Sequence, residues 1–309
     1  MADKKISVSA KSRRLMIRET TTSYLFLAPF LVFFVMFVIY PMFMCVYTSF
    51  FDATMGREDI FIGFQNYKTL FNDPIFWTAL KNTLVIVFVS VPVTCAFSLW
   101  VASVISKMPV AATSAFRCIF YLPVVTGSVA VTMVWKWMYN NYYGIFNYLG
   151  TQTGLLDKNI NWLGDPKYAL GCIILILLTT SVGQPIVLYV SALGNVDQTL
   201  VEAAQVDGAG RWAKIRYITL PGLLPTIVLM LIMKVGYILT TGFEQVLVFY
   251  SPPVYDVADI IETYVYRIGL GQANFSLATA LGLFNAVVAF VLIVGANTVS
   301  KKSLGRSIW

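Results

Sequence analysis

Polar side chains inside long apolar stretches are the residues of this chain best suited to chemistry. Lys234, Tyr237 and Thr241 follow one another at spacings of three and four residues, and Glu244 comes three residues later. Side chains three, four or seven residues apart share one face of an α-helix. The pattern predicts a helical face that carries an ammonium group, a phenol and a hydroxyl. Such a face suits a sugar, because sugar hydroxyls need hydrogen bonds and sugar rings stack on aromatic side chains.

Among these residues, Lys234 gives the strongest energetic reason to expect a polar environment inside the membrane. An ammonium group near the bilayer centre costs at least ~2.5 kcal/mol on insertion scales, so it should face the protein interior or a water-filled path. Ten residues of straight helix separate it from Glu244 by about 15 Å. Glu244 is therefore not the obvious partner, and we expect it near the outer mouth. Two interpretations of Lys234 stay open: a substrate pathway, which could favour anionic substrates, or a structural ion pair or hydrogen bond to a neighbouring helix or subunit.

A second polar set lies in an earlier apolar stretch, at Thr179, Thr180, Gly183, Gln184 and Pro185. Gln184 can both donate and accept hydrogen bonds, and Pro185 leaves a backbone carbonyl free. Taken singly, such residues more often join helices, at about 0.6 kcal/mol each. Taken together they favour a second wall of the same polar pathway.

Several kinds of chemistry are not expected in this chain. It contains no histidine, which is the usual general base and the commonest metal ligand. It has no G-x-x-x-x-G-K-[ST] phosphate loop, and its carboxylates form no pair at hydrolytic spacing. The four cysteines lie in or at the start of apolar segments without metal-ligand spacing. We therefore predict no catalytic residue, no metal and no cofactor bound by the chain itself.

The elements that must position these side chains are membrane-spanning helices. Hydrophobic residues make up 58% of the chain and charged residues 12%, whereas soluble domains carry about a quarter charged residues. Several apolar runs are long enough to cross the roughly 30 Å hydrocarbon core. The sequence predicts an all-α polytopic membrane protein with six transmembrane helices, at about 24–50, 82–106, 116–138, 168–193, 222–247 and 275–300.

The positions of basic residues predict the orientation of these spans. Most of the 22 lysines and arginines fall on one side if both the N- and the C-terminus are cytoplasmic. The net charge of +7 is then an orientation signal, and no nucleic-acid partner is expected. The predicted organisation is a cytoplasmic tail at 1–23, a membrane domain at 24–300 with a cytoplasmic loop at 198–221, and a tail at 301–309.

The predicted outer segments are also expected to be structured. Residues 61–77 interleave aromatic and polar side chains, which predicts a short helix at the outer interface. Asp73 before Pro74 predicts a helix cap followed by a new helix. Residues 154–167 and 249–274 should form two further outer segments, in which single aromatic residues serve as interfacial anchors.

The cytoplasmic loop reads as two short helices around Gly208. Its first part has an apolar side, Gly208 allows a sharp turn, and Trp212, Ile215 and Ile218 then follow at helical spacing beside basic residues. This pattern predicts a helix–turn–helix that another protein can approach closely. An amphipathic loop resting on lipid headgroups is the alternative.

The loop also carries a specific pattern: Glu202, Ala203, Ala204, Asp207, Gly208, Ile218, Leu220 and Pro221. This pattern resembles the signature loop of bacterial ABC import permeases. The resemblance covers nearly the whole chain and is to the carbohydrate-uptake branch, the maltose-type or type I importers, with the C-terminal half most similar to complex-oligosaccharide permeases. Supporting segments are Ala28-Pro29-Phe30, Tyr40-Pro41, Gly63-Phe64-Gln65-Asn66-Tyr67, Tyr121-Leu122-Pro123, Gly242-Phe243-Glu244-Gln245 and Thr263-Tyr264-Val265-Tyr266-Arg267.

The resemblance implies a type I importer permease fold in the bacterial cytoplasmic (inner) membrane. It implies a homologous second permease, two cytoplasmic ABC ATPase subunits that bind ATP and Mg²⁺, and an extracytoplasmic solute-binding protein that delivers an oligosaccharide. The loop would dock on an ATPase subunit, with Glu202 pairing with a basic residue there and Gly208 making the turn. The chain departs from the maltose pattern in having six spans and no large inserted outer domain.

The resemblance also implies that substrate lies among the spans that flank the loop. The predicted pathway residues there are Thr179, Gly183, Gln184, Lys234, Tyr237, Thr241 and Glu244. Two other functional classes compete with an ABC permease. An ion-coupled secondary carrier would usually show inverted repeats and acidic sites within spans, and the sequence shows neither. A membrane-embedded enzyme or scaffold is the third class.

Overall fold

The computed structural model describes residues 10–52, 59–237, 239–240 and 242–305. Helices dominate this part of the chain, joined by one short hairpin of β1 (Phe51–Asp52) and β2 (Ile60–Phe61). The α-helices are α1 Ala10–Phe34, α2 Tyr40–Ser49, α3 Gln65–Asn72, α4 Pro74–Ile105, α5 Val110–Thr126, α6 Ser128–Met138, α7 Ile145–Gln152, α8 Pro166–Ser181, α9 Gly183–Gly194, α10 Gln198–Val206, α11 Arg211–Lys214, α12 Leu220–Gly236, α13 Phe243–Phe249, α14 Tyr255–Ala258, α15 Ile261–Tyr266 and α16 Phe275–Leu304.

Six membrane crossings are compatible with these helices. Four helices are long and apolar enough to span, at Glu19–Ser49, Pro74–Ile105, Arg211–Gly236 and Phe275–Lys302. Two bent pairs, α5 with α6 and α8 with α9, bring the number to six if each pair is one span. The predicted all-α polytopic architecture is confirmed, with bends at 97° and 43° in the third and fourth spans.

The two bends coincide with glycines. Gly127 joins α5 to α6 with a φ of +87°, a region that favours glycine because it lacks a Cβ. Gly183 begins α9, and a Cβ there would lie 2.3 Å from the carbonyl oxygen of Phe120. α9 therefore packs directly on the backbone of α5, an approach that any side chain at this position would block.

The fifth span, predicted over 222–247 with interruptions at Gly236 and Gly242, is not one continuous helix. The helix ends at Gly236, Tyr237 caps it, and a separate helix, α13, begins at Phe243. Gly242 lies between them in the left-handed region, with a φ of +86°. The two glycines permit this interruption, because neither stabilises a continuous helix. The candidate membrane span of this region is Arg211–Gly236.

The first span begins earlier than predicted, because α1 is already helical from Ala10 within the tail assigned to 1–23. Residues 1–9 of that tail, and 306–309 of the C-terminal tail, lie outside the described residues. Five residues of π-helix, Val35–Ile39, join α1 to α2. None of the most apolar window of this span is buried within the chain, and its packing partner is α16, which contacts α2.

The outer segments fold as helices that are tied to the spans. Asp73 caps α4 as predicted, because its carboxylate accepts the N–H of Ile75 at 2.8 Å. α3 packs against α16 and buries Leu70, so it is more firmly docked than a purely interfacial helix. Asn66 donates to the carbonyl of Ser49 at 2.9 Å, which ties α3 to the end of the first span.

A buried network fixes α15 against the start of α4. The Asn82 amide donates to the carbonyl of Asp259 at 3.1 Å, and the Thr83 hydroxyl accepts the N–H of Ile261 at 3.0 Å. The Tyr264 hydroxyl donates to the carboxylate of Asp73. These contacts join segments about 180 residues apart in sequence, so the outer segment at 249–274 is part of the membrane domain's core.

Candidate substrate pathway and coupling loop

The predicted cytoplasmic loop forms two helices around a left-handed turn, as the sequence predicts. α10 is capped by Asp197, whose carboxylate accepts the Thr199 hydroxyl at 2.8 Å and its backbone N–H at 2.9 Å. These hydrogen bonds lower the pKa of Asp197. Gly208 has a φ of +75°, and the Ala209 N–H donates to the Ala204 carbonyl at 2.8 Å. The turn therefore closes α10 with a glycine C-cap.

The surface of this loop combines apolar and charged groups. Val206, Trp212 and Tyr217 are 89%, 82% and 72% exposed, and Glu202 and Ala203 are exposed on α10. Large apolar side chains exposed together mark interaction surfaces. The loop thus exposes large apolar side chains together with small alanine side chains beside the Glu202 carboxylate.

The second half of the loop is continuous with the fifth span. α11, a π-helical segment at Ile215–Thr219 and α12 together form one helix, Arg211–Gly236. Pro221 lies near the start of α12 without ending the helix, and the adjoining π turn is a common way to accommodate such an irregularity. The second half of the loop and the fifth span therefore form one continuous helical element.

Lys234 lies in the last turn of α12 and is half-buried. The Cys95 thiol of α4 and the Tyr189 hydroxyl of α9 lie beside each other, and Cys95 is within electrostatic range of the Lys234 ammonium. Within the described part of the chain the single ion pair joins Arg267 to Asp259. Lys234 therefore has no carboxylate partner there, and an ion pair among the described residues does not explain it.

The predicted shared face of Lys234, Tyr237 and Thr241 is not formed by a helix. Tyr237 follows the end of α12, and its backbone is no longer helical. Its side chain is 61% exposed. Thr241 lies outside the described residues. The spacing argument failed because it assumed that the helix continues through Gly236.

The polar residues of the fourth span divide into two kinds. The Thr179 and Thr180 hydroxyls donate to the carbonyl of Ile176, at 2.8 and 3.0 Å, so their donors are used within α8. Gly183 is buried against α5. Gln184 is exposed in the first turn of α9, which leaves its amide accessible at the bend of the span.

The break of the fifth span contacts the fourth span. A Cβ at Gly242 would lie 3.1 Å from the side chain of Leu177, and Leu177 is two residues before Thr179 on α8. Leu177 is buried in an apolar cluster. Irregular backbone at membrane depth occurs where protein buries it or where it lines a cavity, and at this junction the Leu177 side chain covers Gly242.

A polar cavity of about 370 Å³ opens beside this junction, lined by Thr240, Phe243, Glu244, Gln245 and Glu262. Burial raises the pKa of Glu262. Glu244 belongs to the predicted pathway, whereas Glu262 was not predicted. Glu262 directly precedes the family-like segment that begins at Thr263, but nothing in the sequence connected it to Glu244.

Comparisons with known proteins identify the family and the fold of this chain. The family model described as binding-protein-dependent transport system inner membrane component matches residues 13–302. The polygalacturonan/rhamnogalacturonan transport system permease protein YteP of Bacillus subtilis is 32% identical over 94% of this chain and 92% of its own length. The lactose transport system permease protein LacF of Rhizobium radiobacter is 29% identical over 87% of this chain and 84% of its own length.

A solved structure shows the same fold. It is a chain of a bacterial alginate ABC transporter in complex with an alginate pentasaccharide-bound periplasmic protein. This chain matches it with a TM-score of 0.85 and 32% identity, over 94% of this chain and 98% of that one. The type I permease fold predicted from the loop and the spans is therefore confirmed.

Proposed function

Because the chain belongs to the family of binding-protein-dependent transport system inner membrane components, we propose that it is the permease subunit of an ATP-driven importer of oligosaccharides. Family membership makes it a multi-pass component of the inner membrane. Relatives named for polygalacturonan/rhamnogalacturonan and lactose transport, and a fold match from an alginate transporter, support a sugar as the cargo.

The observation that carries this proposal is the continuity of the docking loop with the fifth span. The chain has no phosphate loop of its own, so we propose that two partner ATPase subunits bind ATP and Mg²⁺ and that this chain is not an enzyme. Glu202 and the alanines beside it contact an ATPase cleft, with Asp207 and Gly208 making the turn. Closure of the ATPase dimer then moves the helix Arg211–Gly236 as a unit.

We propose that a second, homologous permease completes the pore and that a solute-binding protein docks on the outer segments. The first span supports a subunit interface, because its apolar window is unburied within this chain. In this assembly the domain boundaries are the tails and the membrane domain given above, with the coupling loop at 198–221.

We place the substrate pathway along the fourth and fifth spans. Thr179 and Gln184 lie in α8 and α9, Glu244 lies in α13, and Lys234 and Tyr237 lie at the end of α12. Gly183 belongs to the proposed pathway because it packs α9 closely against α5. Thr241 is assigned to the pathway from its position in the sequence alone. Lys234 has no carboxylate partner in the described residues, which supports an anionic, uronate-containing cargo. A neutral oligosaccharide is the second candidate, because the polar cavity nearby carries two glutamates.

The coupling role is tested by purifying the chain with its co-expressed partner subunits in proteoliposomes. ATP hydrolysis is measured with and without the binding protein and sugar. Glu202→Ala should abolish most of the stimulated hydrolysis and uptake, whereas Gln205→Ala, an exposed neighbour on α10, should leave both near wild type. Equal behaviour of the two variants would contradict the docking role.

The cargo is tested in the same proteoliposomes with size-matched neutral and uronate-bearing oligosaccharides. A hydrogen bond to a charged group contributes about 1.5–3 kcal/mol, so Lys234→Met should lower uptake of the uronate substrate roughly 10- to 100-fold. Lys302→Met, at the exposed end of α16, is the control. Equal losses of uptake for both oligosaccharides in Lys234→Met would contradict the proposed preference for an anionic cargo. The proposal that the chain is an importer permease would be unaffected.

A further inference from the structure

We propose that this chain binds one molecule of an anionic glycerophospholipid in a groove between α7 and α8, at the end of the fourth span remote from the coupling loop. The groove has a volume of about 640 Å³. Leu149 and Leu155 form one wall, and Gly171 and Leu175 form the other. Trp162 backs it and is held by donation of its N–H to the Asn147 side-chain oxygen at 2.9 Å, so the groove is preformed.

The walls of the groove match an acyl chain. Leu149, Leu155 and Leu175 are 50%, 82% and 44% exposed, and they lie beside a helix that enters the membrane. From Lys167 to Leu175 the groove follows α8 for about 12 Å at 1.5 Å per residue. This is close to the depth of one leaflet, which is half of the roughly 30 Å hydrocarbon core. An acyl chain is therefore accommodated in both chemistry and length.

A single cation stands at the rim of this groove. Lys167 is the one charged residue among the described residues that line it. Its ammonium lies 5.3 Å from the centre of the Tyr168 ring and joins no ion pair within the described chain. The nearby Asp165 carboxylate accepts the backbone N–H of Lys167 at 2.9 Å, where it caps α8. The free ammonium suits the phosphate of a lipid headgroup, and a second negative charge on that headgroup strengthens the attraction.

Tyr139 forms the floor of the groove. It is 5% exposed and lines the groove, while its hydroxyl is enclosed beside the Cys172 thiol. The hydroxyl therefore does not reach a ligand, and the groove offers its occupant apolar walls with one ammonium group at the rim. The acyl chain and the phosphate of a phospholipid match these two features together, whereas a free phosphate ion has no apolar chain.

The test measures lipid bound to the purified complex by native mass spectrometry. The complex is delipidated and titrated with phosphatidylglycerol or with phosphatidylcholine of the same chain length, and inorganic phosphate is added as a competitor. A lysine near an anionic lipid surface contributes about a fivefold change in affinity. Lys167→Met should therefore weaken phosphatidylglycerol binding about fivefold and reduce the preference over phosphatidylcholine. Lys158→Met, an exposed lysine outside the groove, should change neither.

Two further variants test the apolar part of the site. Gly171→Phe should prevent binding of both lipids by filling the groove. Leu155→Glu, at a position 82% exposed, repels the anionic lipid without disturbing the core if Gly171→Phe fails to fold. Equal effects of Lys167→Met and Lys158→Met, or full binding in the filled groove, would overturn the site. If inorganic phosphate displaced the lipid, the groove would be a phosphate-binding site and the lipid proposal would be wrong.

Discussion

Gly183→Ala offers a direct test of how the fourth span packs. The new Cβ would lie 2.3 Å from the Phe120 carbonyl oxygen and 3.2 Å from the Cα of Tyr121. Ordinary contact begins near 3.4 Å, so α9 and α5 must separate by about 1.1 Å at this point. Both obstructing groups are backbone, which cannot rotate away as a side chain can. Overpacking of this kind costs typically 1–3 kcal/mol.

The assay is the midpoint of thermal unfolding of the purified complex, followed by uptake in proteoliposomes. Gly295→Ala is the matched control, because it lies inside α16 and its new Cβ meets nothing within 4 Å. We expect Gly295→Ala to match or exceed the wild-type midpoint, since alanine is the better helix former. Gly183→Ala should melt several degrees lower and lose uptake. Equal midpoints for the two variants would refute the close packing of α9 on α5, and an intact midpoint with lost uptake would assign Gly183 to substrate contact instead.

Three further outcomes are expected. Gly208→Ala should destabilise the loop by roughly 1 kcal/mol, because its φ of +75° is costly for a residue with a Cβ; hydrogen exchange of α10 should rise, and unchanged exchange would contradict the turn. Tyr264→Phe should lower thermal stability by about 1–3 kcal/mol, because the Asp73 carboxylate loses a buried donor, whereas exposed Tyr266→Phe should not. Asp197 has a lowered pKa in the folded loop, so its cap stabilises α10 fully at pH values above the ordinary pKa of aspartate. This stabilisation is lost as the pH falls through the pKa of the folded state. Hydrogen exchange of α10 should therefore rise in acid in the wild type and be insensitive to acid in Asp197→Ala.

The sequence predicted those features that depend on local patterns. Long uncharged runs are enough to locate spans, Asp73 before Pro74 is enough to place a cap, and Gly208 between two amphipathic runs is enough to predict the turn. The family pattern around Glu202 depends on the same local order. Each of these needs only a few neighbouring residues, so a single chain reveals it.

The remaining features depend on contacts between distant segments. Gly236 and Gly242 interrupt the apolar pattern of the fifth span, but glycines also occur within membrane helices, so the sequence alone did not decide that α12 ends at Gly236. Glu262 joins the cavity of Glu244 only because α15 docks on α4. The groove beside Lys167 requires α7 to fold back on α8. These placements follow from tertiary packing, and the spacing of residues along the sequence carries no information about it.

The helix from Arg211 to Gly236, which contains one π-helical segment, connects the proposed docking loop to Lys234. Lys234 stands 23 residues beyond Arg211, or about 35 Å at 1.5 Å per residue. A rigid tilt of only about 5° at the loop would displace the Lys234 end by roughly 3 Å, the length of one hydrogen bond. In the proposed mechanism, a small rotation at the loop would thus be enough to make or break a polar contact at Lys234. A hinge introduced midway, for instance by a pair of glycines, should therefore separate ATP hydrolysis from sugar movement while both ends remain folded.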